Sequence, residues 1–185
     1  MAHWIGSAVS RFMDLLDRLI NFISAVYRRR MSRKDDASLP IQSGVLPWRV
    51  KRKKTEVMLV TGRRSKRWMI AKGWPMDGMS LADSAAQEAF EEAGIKGKVD
   101  PTPIGSFHYV KQHLLFGDVE VRIQVHPMIV KRELADWPER AERSRKWFEL
   151  SDAVEQVDSD ELKALIVAFG DGLKAQSKGK KGAAA

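Results

Sequence analysis

The sequence predicts an α/β (α+β) domain, on three observations. A series of short strand-like runs begins at Gly44, one alanine-faced helix follows at Ser80–Ala93, and two long strand-like stretches precede a closing helix. At 185 residues, with 44% hydrophobic and 30% charged composition, the chain suits one globular domain with flanking segments. There is no cysteine, so disulfide frameworks and thiolate chemistry are excluded, leaving carboxylate, imidazole and hydroxyl groups.

The elements are justified in chain order. Residues 1–30 carry Ile5, Val9, Phe12, Leu16, Leu19, Ile23 and Val26 at alternating four- and three-residue spacing and close on Arg28, Arg29 and Arg30, which predicts an amphipathic helix. Its apolar stripe leaves three readings open: docking on its own domain or on a second copy, contact with an anionic membrane surface, or sequence upstream of an alternative start at Met31. Residues 31–40 read as a polar linker ending in Pro40, and residues 41–172 as the folded domain. Within it, Gly44–Val50, Glu56–Thr61 and Trp68–Ala71 read as short strands separated by basic turns. Ile104–Phe116 and Val119–Val130 read as longer strands joined by a Gly117-Asp118 hairpin turn. Trp147–Leu150 reads as a last strand, Ser151 or Asp152 as the cap of one helical turn, and Ser159 or Asp160 as the cap of a helix ending near Gly170. Residues 173–185, rich in Lys, Gly and Ala, read as a disordered basic tail.

Charge is unevenly spread. Of the formal +8, all but +1 resides in the flanks, because residues 41–173 hold 21 Lys and Arg against 20 Asp and Glu. Whole-chain basicity is therefore weak support for nucleic-acid binding by the domain itself. No apolar run reaches the length of a membrane span, and the N-terminal charge order is not that of a secretory leader. A cytoplasmic protein is expected, with residues 1–30 available for homodimer or peripheral membrane contact.

The chemistry concentrates between Gly73 and Ile95, where a Gly/Pro-rich loop runs into a helix carrying Glu88, Glu91 and Glu92. At about 100° per residue the three carboxylates share one arc, while Ala85, Ala86, Ala89, Phe90 and Ala93 share another that can pack on a sheet. On this reading the glutamates project together from an exposed face. Like charges at i, i+3 and i+4 repel, and a hard divalent cation resolves the conflict. Oxygen-only ligands favour Mg²⁺ or Mn²⁺ over zinc.

These residues resemble the Nudix box: Gly73, Glu88, Glu91, Glu92, Gly94 and Ile95 match its pattern at the right spacing. Two positions depart, with Met79 where the box has its first Glu and Gln87 where it has Arg. The resemblance implies an α–β–α sandwich around a mixed sheet and metal-dependent hydrolysis of a phosphoanhydride. Carried over residue by residue, Glu88 and Glu92 are metal ligands and Glu91 is the base that activates water. Lys72-Gly73-Trp74-Pro75-Met76, with Asp136-Trp137-Pro138-Glu139 and Arg145-Lys146-Trp147-Phe148, is similar to the diphosphoinositol polyphosphate and diadenosine polyphosphate hydrolase branch.

A small, highly anionic substrate fits the basic stretch from Arg49 to Arg67, in which Arg63, Arg64 and Arg67 are candidate phosphate contacts, together with Lys72 beside the metal loop. Lys51 to Lys54 serve equally well as solubility charges at a turn. Tyr109 and Lys111 share a strand face and read as a cross-strand surface pair. His113 and His126 are isolated. Trp48, Trp68 and Trp137 could stack a nucleobase, with packing the commoner use, and Glu139 and Glu142 could supply a further ligand or base, with surface charge the default. Two other activities remain open: removal of pyrophosphate from RNA 5′ ends, assisted by the basic tail, and nucleotide sensing without turnover, motivated by Met79 and Gln87.

Overall fold

The structure, a computed structural model, describes residues 39–113 and 117–182. The helix expected over residues 1–30 and the linker over 31–38 lie outside the described residues. Ile41–Tyr109 and Val121–Ala185 make up one compact unit, whose described part carries every residue argued from below.

Eight strands form one mixed sheet. The strands are β1 (Ile41–Lys51), β2 (Lys54–Thr61), β3 (Trp68–Met69), β4 (Ala71–Gly73), β5 (Ile95–Val99), β6 (Gly105–His113), β7 (Gly117–Glu133) and β8 (Arg145–Glu149). The central path is β3-β2-β1-β7-β5, with β4 on β1, β6 on β7 and β8 on β2. β1 and β7 run parallel, Ile41 opposite Arg122 through Trp48 opposite Ile129, whereas β2 and β4 pair with β1 antiparallel. Arg52 and Lys53 take positive φ at the tight β1–β2 turn, keeping that basic turn at the sheet's margin.

Alternation along β1 assigns the two faces. Val45 points to the cluster containing Ala85, Ala89 and Ala93 of helix α1 (Leu81–Ala93). Trp48, of opposite parity, meets Phe169 edge-on at 5.7 Å between ring centroids. Phe169 belongs to α3 (Asp160–Gly182), which packs with α2 (Leu150–Gln156). Helices therefore cover both faces, the α–β–α arrangement expected from the sequence.

Helix α1 forms where its signals lie. The Ser80 side chain caps it, accepting from Asp83 N–H at 3.1 Å, and Gly94 ends it in the left-handed conformation (φ 59°), returning its N–H to Phe90 O at 3.0 Å. Ala82, Ala85, Ala89 and Ala93 are buried, so short side chains let the helix lie close against β1 and β4.

Three expectations change. Gly117 and Asp118 belong to strand β7, so the connection from β6 falls on 114–116, outside the described residues. β5 was not foreseen, since Ile-Lys-Gly-Lys-Val is short and interrupted by glycine. The closing helix does not stop near Gly170 and no disordered tail begins at 173: α3 continues to Gly182. Ala, Lys and Gln are good helix formers, and lysines near a helix C-terminus oppose its dipole favourably, so the extension needs no apolar face. Among the described residues no helix is long and apolar enough to cross a membrane.

Gly94 gives a direct test of the turn after α1. A methyl group there would meet the Trp137 ring at 2.7 Å on top of an unfavourable backbone angle. Gly94→Ala is expected to lower unfolding free energy by about 1–3 kcal/mol, read from the urea midpoint; an unchanged midpoint would mean the Trp137 loop yields freely.

Candidate active site

The carboxylates converge less freely than the exposed arc predicted. Glu92 is 4% exposed, so it belongs to the packed side of α1 rather than to a solvent face. Its angle explains this: about 20° on the helical wheel separates Glu92 from Ala85, so it flanks the alanine stripe. Phe90, placed in the apolar arc, is only half-buried and lies under the Lys96 ammonium, 5.0 Å from the ring centroid.

Each glutamate has a different environment. Glu92 Oε2 accepts from the backbone N–H of Lys72 at 3.2 Å, and Oε1 accepts from Arg143 Nη2. Burial pushes the Glu92 carboxyl up, against the pull of Lys72 and Arg143. Glu91 Oε1 accepts from Gln87 Nε2 at 2.6 Å, so the residue in place of the box arginine holds the neighbouring glutamate by a neutral bond. Glu88 sits against Gly73, where any β-carbon would collide with its carboxylate. Burial first, then the charges of Glu92, Glu91 and Glu139, push Glu88 up to about 7, opposed by Lys72.

Sequence reasoning missed Arg143; Glu139 it offers as a further ligand or base, with surface charge as the default. Glu139 is no loose surface charge: it accepts from Arg143 Nε at 2.5 Å and from Arg63, and its N–H bonds Glu91 O at 3.1 Å. Burial alone would raise the Glu139 carboxyl, but the hydrogen bonds from Arg63 and Arg143 prevail and hold it below its usual range. Arg143 is nearly solvent-free at 7% side-chain exposure and also donates to Thr61 O at 2.9 Å. A signal was available: α1 has four acids and no Lys or Arg, so a buried glutamate on it needs a cation from elsewhere in the chain.

The basic candidates divide. The Lys72 backbone meets Glu92 and its ammonium lies 4.9 Å from the Tyr109 ring centroid, close enough to influence Glu88 and Glu92. Arg63 pairs with Glu139 and Glu142, and Arg67 with Asp158 at 3.1 Å, which ties the β2–β3 turn to neighbouring loops. Arg64 is exposed on the same turn. Trp48 and Trp68 pack on Phe169 and Phe148, and Trp137 packs over Gly94 with the Arg145 guanidinium 4.2 Å from its ring centroid. His126 is buried against Asp100 O, Tyr109 lies beneath Lys72, and His108 meets Glu161.

Among the described residues no three acidic or imidazole side chains are closed around one point. The described residues therefore do not form a complete protein cage. A half-buried Glu88 beside three further carboxylates, with oxygen donors throughout, instead fits an open site for a hard divalent ion that retains much of its water. Met79, in the loop before α1, is 46% exposed and lines a depression with Gln87 and Phe90 of the helix.

The Glu88 shift sets a sign. A carboxyl raised from 4.5 to about 7 keeps a proton in the folded state that the unfolded chain has released, so stability falls as pH rises through that window and levels above it. In metal-free protein, Glu88→Gln is expected to match wild type near about pH 4.5 and exceed it near about pH 8 in urea midpoint. Parallel pH profiles for the two proteins would show that Glu88 is not under this strain.

No family model matches the chain. Curated relatives do. Nudix hydrolase 21, a chloroplastic protein of Arabidopsis thaliana, is 27% identical over 159 residues, covering 83% of this chain and 77% of that protein. A diphosphoinositol polyphosphate phosphohydrolase, 3-beta, of Bos taurus is 32% identical over 102 residues, covering 54% of this chain and 58% of that protein. In fold, a C. elegans Ap4A hydrolase matches with TM-score 0.58 at 20% identity, over 74% of this chain and 99% of that one. The chain is thus similar in sequence to proteins named Nudix hydrolases and shares the fold of the C. elegans enzyme.

Proposed function

We propose that the chain is a divalent-metal-dependent pyrophosphohydrolase that cleaves a phosphoanhydride bond in a compact, highly anionic substrate, a dinucleoside polyphosphate or a diphosphoinositol polyphosphate. The observation that carries the reading is Glu88, a half-buried carboxylate pushed up to about 7 beside Glu92, Glu91 and Glu139. Such a group exchanges its proton for a cation at little cost in solvation, because it is already desolvated.

Glu88 and Glu92 would hold Mg²⁺ or Mn²⁺. A divalent ion there supplies neutralisation of phosphate oxygens and lowers the pKa of bound water. Glu91, kept on the same helix by Gln87, orients water and accepts its proton. Lys72 offers its ammonium to the phosphate chain at the mouth of the site, and exposed Arg64 adds positive potential. The names of the bovine phosphohydrolase and the C. elegans Ap4A hydrolase favour these substrates over RNA ends. The domain's near-neutral charge balance also gives little support to nucleic-acid binding by the domain itself.

The test is turnover with Mg²⁺ on diadenosine tetraphosphate, a diphosphoinositol polyphosphate and 5′-triphosphate RNA. Hydrolysis of the first or second is expected, with Glu88→Gln and Glu91→Gln each lowering kcat by at least about a hundredfold while the variants stay folded. Binding without hydrolysis across the panel would convert the reading to a nucleotide sensor, and preference for RNA would overturn the substrate class.

A further inference from the structure

We propose that Arg143 is the positioning residue of the carboxylate site: it holds Glu92 in the orientation that cation binding requires. The inference rests on the metal-site reading above and concerns a residue outside the Gly73–Ile95 motif. Its three donors serve three different segments. Nη2 bonds Glu92 on α1, Nη1 bonds Thr61 O at the end of β2 at 2.9 Å, and Nε bonds Glu139 within its own turn at 2.5 Å.

The backbone beneath the guanidinium is fixed on both sides. Leu134 N–H bonds Gly94 O at 2.8 Å and Glu139 N–H bonds Glu91 O at 3.1 Å, which ties the turn to α1. Ser144 and Thr61 exchange two bonds of 2.9 Å, which tie it to β2. The guanidinium is thus a rigid bracket rather than a mobile surface charge, and side-chain exposures of 7% for Arg143 and 5% for Glu92 keep water from substituting for it.

Helix α1 itself supplies no cation, since Gln87 occupies the box position of arginine and spends its amide on Glu91. Arg143 delivers that charge from the turn before β8. A lysine there keeps the charge but has a single nitrogen, which cannot serve Glu92, Thr61 and Glu139 in a planar fork.

The experiment is Mn²⁺ binding to the full chain, read from the electron paramagnetic resonance signal of the free ion, alongside steady-state kinetics on diadenosine tetraphosphate. Arg143→Lys is expected to raise the Mn²⁺ dissociation constant about 10- to 100-fold and to leave substrate KM at saturating metal within about twofold. In a Glu92→Gln background the same change is expected to add no further loss of metal affinity, because the proposed action of Arg143 runs through Glu92. Additive losses, an unchanged Mn²⁺ constant, or a rise confined to KM would overturn the assignment. So would loss of near-ultraviolet circular dichroism in both Arg143→Lys and Arg143→Gln, which would make the residue a structural tie. A wild-type chain that binds no Mn²⁺ sinks the metal-site reading instead, whereas wild-type binding that Arg143→Lys leaves intact sinks only this one.

Discussion

The close seating of α1 on β1 and β4 is the constraint from which the site follows. Alanines at 82, 85, 89 and 93 bring the helix axis near the sheet, and Gly73 removes the last obstruction where the two elements cross. At that separation carboxylates on the flank of the helix cannot stay in bulk water. Glu92 is drawn onto the Lys72 amide and Glu88 onto the Gly73 backbone, so burial of charge is a geometric result of small side chains.

That burial then organises the loop between β7 and β8. A carboxylate as enclosed as Glu92 needs a fixed counter-charge, and leaving one partner of such a pair alone typically costs about 3–5 kcal/mol. Arg143 supplies the charge, but an enclosed guanidinium has donors left over, and these are met by Glu139 and Thr61 O. Glu139 in turn draws Arg63 across from the β2–β3 turn. One packing decision on α1 therefore ties down both the β7–β8 loop and the β2–β3 turn.

The parts legible in the sequence were those governed by neighbouring residues. Ser80 and Gly94 mark the ends of α1 because caps act within one helical turn, and the Gly/Glu spacing exposes the carboxylate cluster because helical periodicity is local. The pieces that escaped depend on distant partners. β5 exists because β7 offers it an edge, with Ile95 opposite Glu133, although its own five residues barely favour a strand. The burial of Glu92 was within reach, since it flanks the alanine stripe, yet a wheel cannot say whether a sheet curls over that flank. Arg143 lies 51 residues from Glu92, and nothing at either position announces the other.

The three glutamates, alike in sequence, end with unequal freedom, and this inequality suits the proposed division of labour. Glu92 is gripped on both oxygens, so its place is set before any ligand arrives. Glu91 is steadied through one oxygen by a neutral amide, which restrains its direction without cancelling its charge. Glu88 carries the repulsion of Glu92, Glu91 and Glu139, opposed by the Lys72 ammonium. A site whose acids were all compensated by arginine would have little reason to take up a cation, and one with none compensated would strain the helix. Holding one glutamate firmly and leaving another under tension gives a preformed seat with the driving force concentrated at a single carboxyl.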